Sequence, residues 1–86
     1  LGYKVDIAPG PQALIFQYED RPGRVGTIGS ILGDAGINIT TMQIVNDPEA
    51  GQAIVYMNIE GELDDSVLAK LRENLEDLKN LWYVKL

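Results

Sequence analysis

The order of apolar runs and chain breaks predicts an α+β fold: a four-stranded antiparallel sheet with two helices on one face, in the order β-α-β-β-α-β. Three observations predict it. Val25, Ile28, Ile31, Leu32 and Ala35, and later Val67, Leu68, Leu71, Leu75 and Leu78, recur at helical spacing. Four other segments are short and either alternating or rich in β-branched residues. Clusters of Gly, Pro, Asn and Asp separate the two kinds of segment.

Residues 1–11 form a lead-in or linker from a preceding domain, and 12–86 form one domain. Tyr3, Val5 and Ile7 alternate with Lys4 and Asp6 as in a short strand, and Pro9-Gly10-Pro11 breaks it. Leu, not Met, stands at position 1, which suggests a piece of a longer chain. Gln12–Tyr18 is the first strand of the domain. Leu14, Phe16 and Tyr18 share one face and Ala13 and Ile15 the other, so it belongs in the middle of a sheet. A helix over Pro22–Ala35 follows. Asp20 can cap it, Pro22 fits its first turn and Gly36 ends it. Ile37–Val45 is the second strand, Asn46–Gly51 a turn, and Gln52–Glu60 the third strand, with Ala53, Val55, Met57 and Ile59 facing the helices. Gly61 breaks that strand. Asp64 or Asp65 caps the second helix, whose charged face (Lys70, Arg72, Glu73, Glu76, Asp77) is expected to be solvated, and Leu81–Leu86 is the last strand. Right-handed crossovers then place the first and third strands centrally and the second at an edge, the ferredoxin-like split βαβ arrangement. An edge strand is a place where a second copy can pair.

The first helix contains Gly26, Gly29 and Gly33. Interior glycine costs roughly 1 kcal/mol relative to alanine, so the three together cost about 3 kcal/mol. Two readings are open. The glycines can allow close packing of the helix on its own sheet, or they can leave one face open to another chain or a small ligand.

Composition narrows the chemistry. The 86 residues include no Cys and no His, so thiol, haem, iron–sulfur and zinc sites and Ser–His or Cys–His nucleophile pairs are not expected. Net charge is −6, which disfavours nucleic acid as a partner. No apolar run approaches a membrane span and no signal peptide is visible. The third strand carries only Tyr56 where an RNA-recognition sheet needs several aromatics. Gly23, Gly26 and Gly29 are spaced by three, which lacks the tight first pair of a dinucleotide fingerprint. Asn38-Ile39-Thr40 matches a glycosylation sequon by chance. No catalytic residues and no metal ligands are assigned. What remains is a module for small-molecule binding or self-association.

The residues Asp20-Arg21-Pro22-Gly23-Arg24-Val25-Gly26, then Ile31-Leu32-Gly33, Ala35-Gly36-Ile37-Asn38-Ile39 and Met42, with Gly51-Gln52-Ala53, resemble the ACT domain, the amino-acid-sensing module of metabolic enzymes. The resemblance covers about Ala13–Leu86. Within the family it is greatest to the C-terminal regulatory domains of the D-3-phosphoglycerate dehydrogenases, and the lead-in from Leu1 to Asp6 shares it. The resemblance implies a cytoplasmic regulatory domain without catalytic residues or cofactor of its own, NAD being held by other domains of the parent. It also implies side-by-side homodimers, with L-serine or a similar small amino acid bound between the paired domains as feedback inhibitor.

The family's ligand contacts fall here on Tyr18, Asp20 and Asn38, which are expected to converge on one corner of the fold. Backbone N–H groups near Arg24, Val25 and Gly26 would receive the ligand carboxylate. Asp20 would accept from the ammonium, and Asn38 can donate and accept. The interface would involve Gly26, Gly29 and Gly33 and the second-strand edge at Ile39. Val45-Asn46-Asp47 departs from the basic residues usual in the family, and Asp47-Pro48 predicts a different hairpin there. Three alternatives remain open: the ACT domain of an L-serine dehydratase, a free-standing ACT domain for another amino acid, and a dimerisation module without ligand.

Overall fold

β1 (Gln12–Glu19) is the strand on which the others assemble. It pairs antiparallel with β3 (Gln52–Glu60) on one side and with β4 (Leu78–Lys85) on the other, while among the described residues β2 (Asn38–Asp47) pairs only with β3. The sheet order is therefore β2-β3-β1-β4, with the first and third strands central and the second at an edge, as expected. The computed structural model describes residues 11–19, 23–47 and 49–85. The expected lead-in apart from Pro11, and Asp20, Pro22 and Pro48, lie outside the described residues.

Alternation along the strands decides which side chains meet the helices. Leu14, Phe16 and Tyr18 of β1 and Ala53, Val55, Met57 and Ile59 of β3 form one cluster with Ile28, Ile31 and Leu32 of α1 (Arg24–Asp34) and Leu71 of α2 (Asp65–Asn74). Both helices thus cover one face of the sheet. Ala13, Ile15 and Ile54 are buried as well, but outside that cluster, on the opposite face, where the Asn58 amide donates to the Thr41 hydroxyl (2.6 Å). A strand with buried residues on both faces belongs in the middle of a sheet.

The helix ends follow from local chemistry. α1 begins at Arg24, two residues later than the sequence pattern suggests, with Gly23 as its N-cap. At its other end the Gly36 N–H donates to the Gly33 carbonyl (3.0 Å) and the Ile37 N–H to that of Leu32 (2.9 Å). This is a Schellman motif, and it requires the left-handed φ of 76° that Gly36 adopts. Leu32 and Ile37 supply its hydrophobic contact within the core. α2 is capped by Asp64, whose carboxylate accepts from the Val67 N–H (3.1 Å) and the Ser66 hydroxyl (2.6 Å). Those bonds favour the ionised form and hold the Asp64 pKa below its ordinary 3.8. Gly61 leaves β3 at φ 125°, and a Cβ there would lie 3.3 Å from both the Gly36 carbonyl oxygen and the Ile37 Cα.

Several sequence-based expectations are corrected. α2 stops at Asn74, so Leu78 does not continue its apolar stripe but opens β4, opposite Tyr18. The Asn74 amide turns back to the Lys70 carbonyl (2.8 Å), and the chain reverses through residues 75–77. β4 accordingly starts three residues earlier than expected, and β2 runs to Asp47 rather than Val45. Asp77 is not on a solvated face: its side chain is only 16% exposed and ion-paired with Arg24. β2 also carries a bulge, because Thr40 is the extra residue between the pairs Ile39–Ile59 and Thr41–Asn58. The bulge reverses the parity of the strand, so Ile39, Met42 and Ile44 all fall on the helix-bearing face.

Candidate functional site

The end of β1 and the start of α1 lie on either side of residues 20–22 and are tied together by the turn before β4. The Glu19 N–H donates to the Asp77 carbonyl (3.3 Å). The Arg24 guanidinium donates through Nε (3.0 Å) and Nη2 to one carboxylate oxygen of the same Asp77. Arg24 therefore turns its side chain to Asp77. Val25 packs against the core and Gly26 is exposed. Tyr18, 3% exposed, is a member of the core cluster and has an interaction partner of its own. Asp20 lies outside the described residues.

Asn38 is exposed at the first position of β2. It does not share a corner with Tyr18 in one chain, contrary to the expectation. Tyr18 sits opposite Ala53 and Asn38 opposite Glu60, so the two are seven residues apart along β3, about 23 Å at the rise of a strand. β1 and β2 both run antiparallel to β3 and hence parallel to each other. The end of one and the start of the other must then lie at opposite ends of the sheet.

The glycines resolve more clearly. Among the described residues, a Cβ built at Gly26, Gly29 or Gly33 would meet nothing within 4 Å. Close packing of α1 on its own sheet therefore does not require them, and that reading is set aside. Their direction follows from the turn of the helix. The hollow between the helices is lined from α1 by Ile31, Asp34 and Ala35 and from α2 by Ser66, Val67 and Lys70. At about 3.6 residues per turn, Gly26, Gly29 and Gly33 fall on the flank of α1 turned away from α2. That flank borders the β2 edge, where Met42 and Ile44 are 42% and 44% exposed on the helix-bearing face. Ile39, expected at an interface, is partly buried and packs against the chain's own core. The sequence alone does not mark Met42 and Ile44 as surface residues, because only the bulge at Thr40 shows which way they face. Among the described residues, no cluster of acidic side chains is placed to hold a metal ion, and no helix is long and apolar enough to cross a membrane.

An ACT domain family model matches residues 13–77. The chain belongs to the ACT domain family. This ACT domain is 32% identical to D-3-phosphoglycerate dehydrogenase of Bacillus subtilis over 85 residues, which cover 99% of the chain and 16% of that enzyme. It is 33% identical to D-3-phosphoglycerate dehydrogenase of Methanocaldococcus jannaschii over 79 residues, covering 90% of the chain and 15% of that enzyme. The chain thus spans about a sixth of the length of these curated relatives. Among solved structures, this ACT domain superposes on 28% of a formyltetrahydrofolate deformylase from Pseudomonas putida, with TM-score 0.74, 16% identity and 87% of the chain covered. It also superposes on 95% of the ACT domain from GTP pyrophosphokinase of Chlorobium tepidum, with TM-score 0.65, 17% identity and 85% of the chain covered. At these identities the two structures speak for the fold, and the sequence relatives for the likeness to phosphoglycerate dehydrogenase.

Proposed function

We propose that this ACT domain is an allosteric regulatory module of a D-3-phosphoglycerate dehydrogenase in the cytoplasm, and that it binds L-serine between two side-by-side copies. The parent's NAD and catalytic residues would reside in its other domains, and the module itself would hold no cofactor. The observation that carries the reading is the open glycine flank of α1 beside the exposed apolar edge of β2. Three helix glycines that no packing contact among the described residues requires, Gly29 in the interior and Gly26 and Gly33 in the end turns, cost the lone domain up to about 3 kcal/mol. A surface that close approach of a second copy and a ligand would use accounts for that cost.

The opposite placement of Tyr18 and Asn38 supports a site shared by two chains. If two β2 edges pair antiparallel about a two-fold axis near Gln43, Met42 of one copy comes beside Ile44 of the other. Asn38 of one copy then approaches the α1 start of its partner, where backbone N–H groups can receive a carboxylate. Serine would act on a distant active site through its differential affinity for two arrangements of the pair, a coupling typically of about 1–3 kcal/mol.

The burial of Tyr18 in the core favours one competing reading, a pairing module without ligand. Titration calorimetry with L-serine, with glycine and L-alanine as controls, separates the two when the sample is sized by light scattering at the same concentrations. Saturable heat for serine from a dimer is the expected result. A clean dimer that gives no heat with serine would refute the sensor reading and leave the pairing module.

A further inference from the structure

We infer that Lys79 and Lys85 keep the outer edge of β4 from pairing with a second copy, so that association is confined to the β2 edge and closes at two chains. The inference rests on the pairing of β2 edges proposed above and supplies the reason that a pair does not grow.

The sheet ends in β2 on one side and β4 on the other, and among the described residues β4 pairs only with β1. When two β2 edges join, the combined sheet therefore presents a β4 edge at each end. An open β4 would let pairs add to one another as a ribbon. The two edges are built differently. From Thr41 to Asp47, β2 stays in register with β3 without a further bulge and holds no lysine or arginine. β4 holds a lysine near each end. Lys79 is also the extra residue of a bulge, because Leu78 lies opposite Tyr18 and Asn80 opposite Gln17. A bulge bends its strand and spoils it as a template for a straight partner.

Between the lysines runs Asn80-Leu81-Trp82-Tyr83-Val84, apolar or aromatic after its first residue, with Val84 42% exposed. A β-prone, uncharged window of this kind on an edge strand invites a copy of itself unless charges flank it. Lys79 and Lys85 are the flanking charges. Both are exposed, and among the described residues neither has a carboxylate partner. If two β4 edges met antiparallel about an axis at Trp82, Lys79 of each copy would come beside Lys85 of the other. Like charges would then face each other at both ends of the contact, which opposes pairing.

The test is made on the 86-residue chain by light scattering across a concentration series. Lys79→Thr with Lys85→Thr is expected to raise the mean mass about twofold or more above that of the pair. Lys79→Glu with Lys85→Glu restores like charges across the edge and is expected to remain a pair. Adding Ile44→Lys to the Thr variant blocks β2 and should return it to a pair, now through β4, a defined size that misfolded aggregates would not give. A Thr variant that stays a pair, or a Glu variant that grows as the Thr variant does, would overturn the inference. If the unaltered chain is a monomer, the β2-pairing reading fails by itself. The Thr variant then decides the role of the lysines: association retains it, and a monomer removes it.

Discussion

Tyr18 and Asn38 stand at opposite ends of β3, one opposite Ala53 and the other opposite Glu60. A ligand that touches both ends of this geometry must lie between two chains. That gives a mixing experiment. Asp20→Ala and Asn38→Ala are each expected to lose serine binding. Random pairing of an equimolar mixture makes half the dimers mixed, and each mixed dimer has one intact site. About a quarter of the sites should therefore return. Calorimetry on the mixed sample reads that fraction. No recovery would refute a site shared between the two chains.

Ile44 is exposed on the helix-bearing side of the β2 edge. Ile44→Lys should prevent edge-to-edge pairing, since a lysine on an edge strand opposes it. The folding stability of the separated monomer should change by no more than about 0.5 kcal/mol, as for other surface substitutions. Light scattering across a dilution series reads the pairing, and urea unfolding at low concentration reads the monomer.

Gly29 has room for a methyl group and lies in the interior of α1. Gly29→Ala should stabilise the monomer by up to about 1 kcal/mol through helix propensity. The same methyl should weaken pairing and serine binding if a partner approaches that flank. The opposite signs of the two effects are the diagnostic outcome. Urea melts at concentrations too low for pairing, beside calorimetry at high concentration, measure them separately.

Asp64 gives the domain a defined acid response. The hydroxyl of Ser66 and the N–H of Val67 hold its folded pKa below 3.8. A group with a depressed folded pKa contributes stability that is present above its unfolded pKa and lost as pH falls through the folded one. Asp64→Ala should therefore lower the melting temperature near neutral pH, and the gap to the unaltered protein should narrow below about pH 4. Thermal melts of both proteins from pH 7 to pH 2 show whether the gap closes.

Much of the architecture was legible in the sequence. The two faces of Gln12–Tyr18, the alternation of Ala53, Val55, Met57 and Ile59, the terminators Gly36 and Gly61 and the cap Asp64 are local features. Each acts within one or two turns or along one strand, so neighbouring residues suffice to specify it. The motif around Asp20–Gly26 and Ala35–Ile39 likewise pointed to the ACT family, because a family signature is itself a property of sequence.

Tertiary structure decided what depends on residues far apart in the chain. The bulge at Thr40 sets which way Met42 and Ile44 face, and it is defined only by the register against β3. Leu78 continues the helical spacing of Leu75, yet it belongs to β4 because pairing with β1 claims it. Asp77 looks like one more surface acid until Arg24 is beside it. Whether the α1 glycines are needed for close packing was likewise settled only by the empty space around them. The division has one physical reason. Caps, turns and periodicity arise from interactions between near neighbours, whereas register, ion pairing across 53 positions and open surface arise only once the chain has closed on itself.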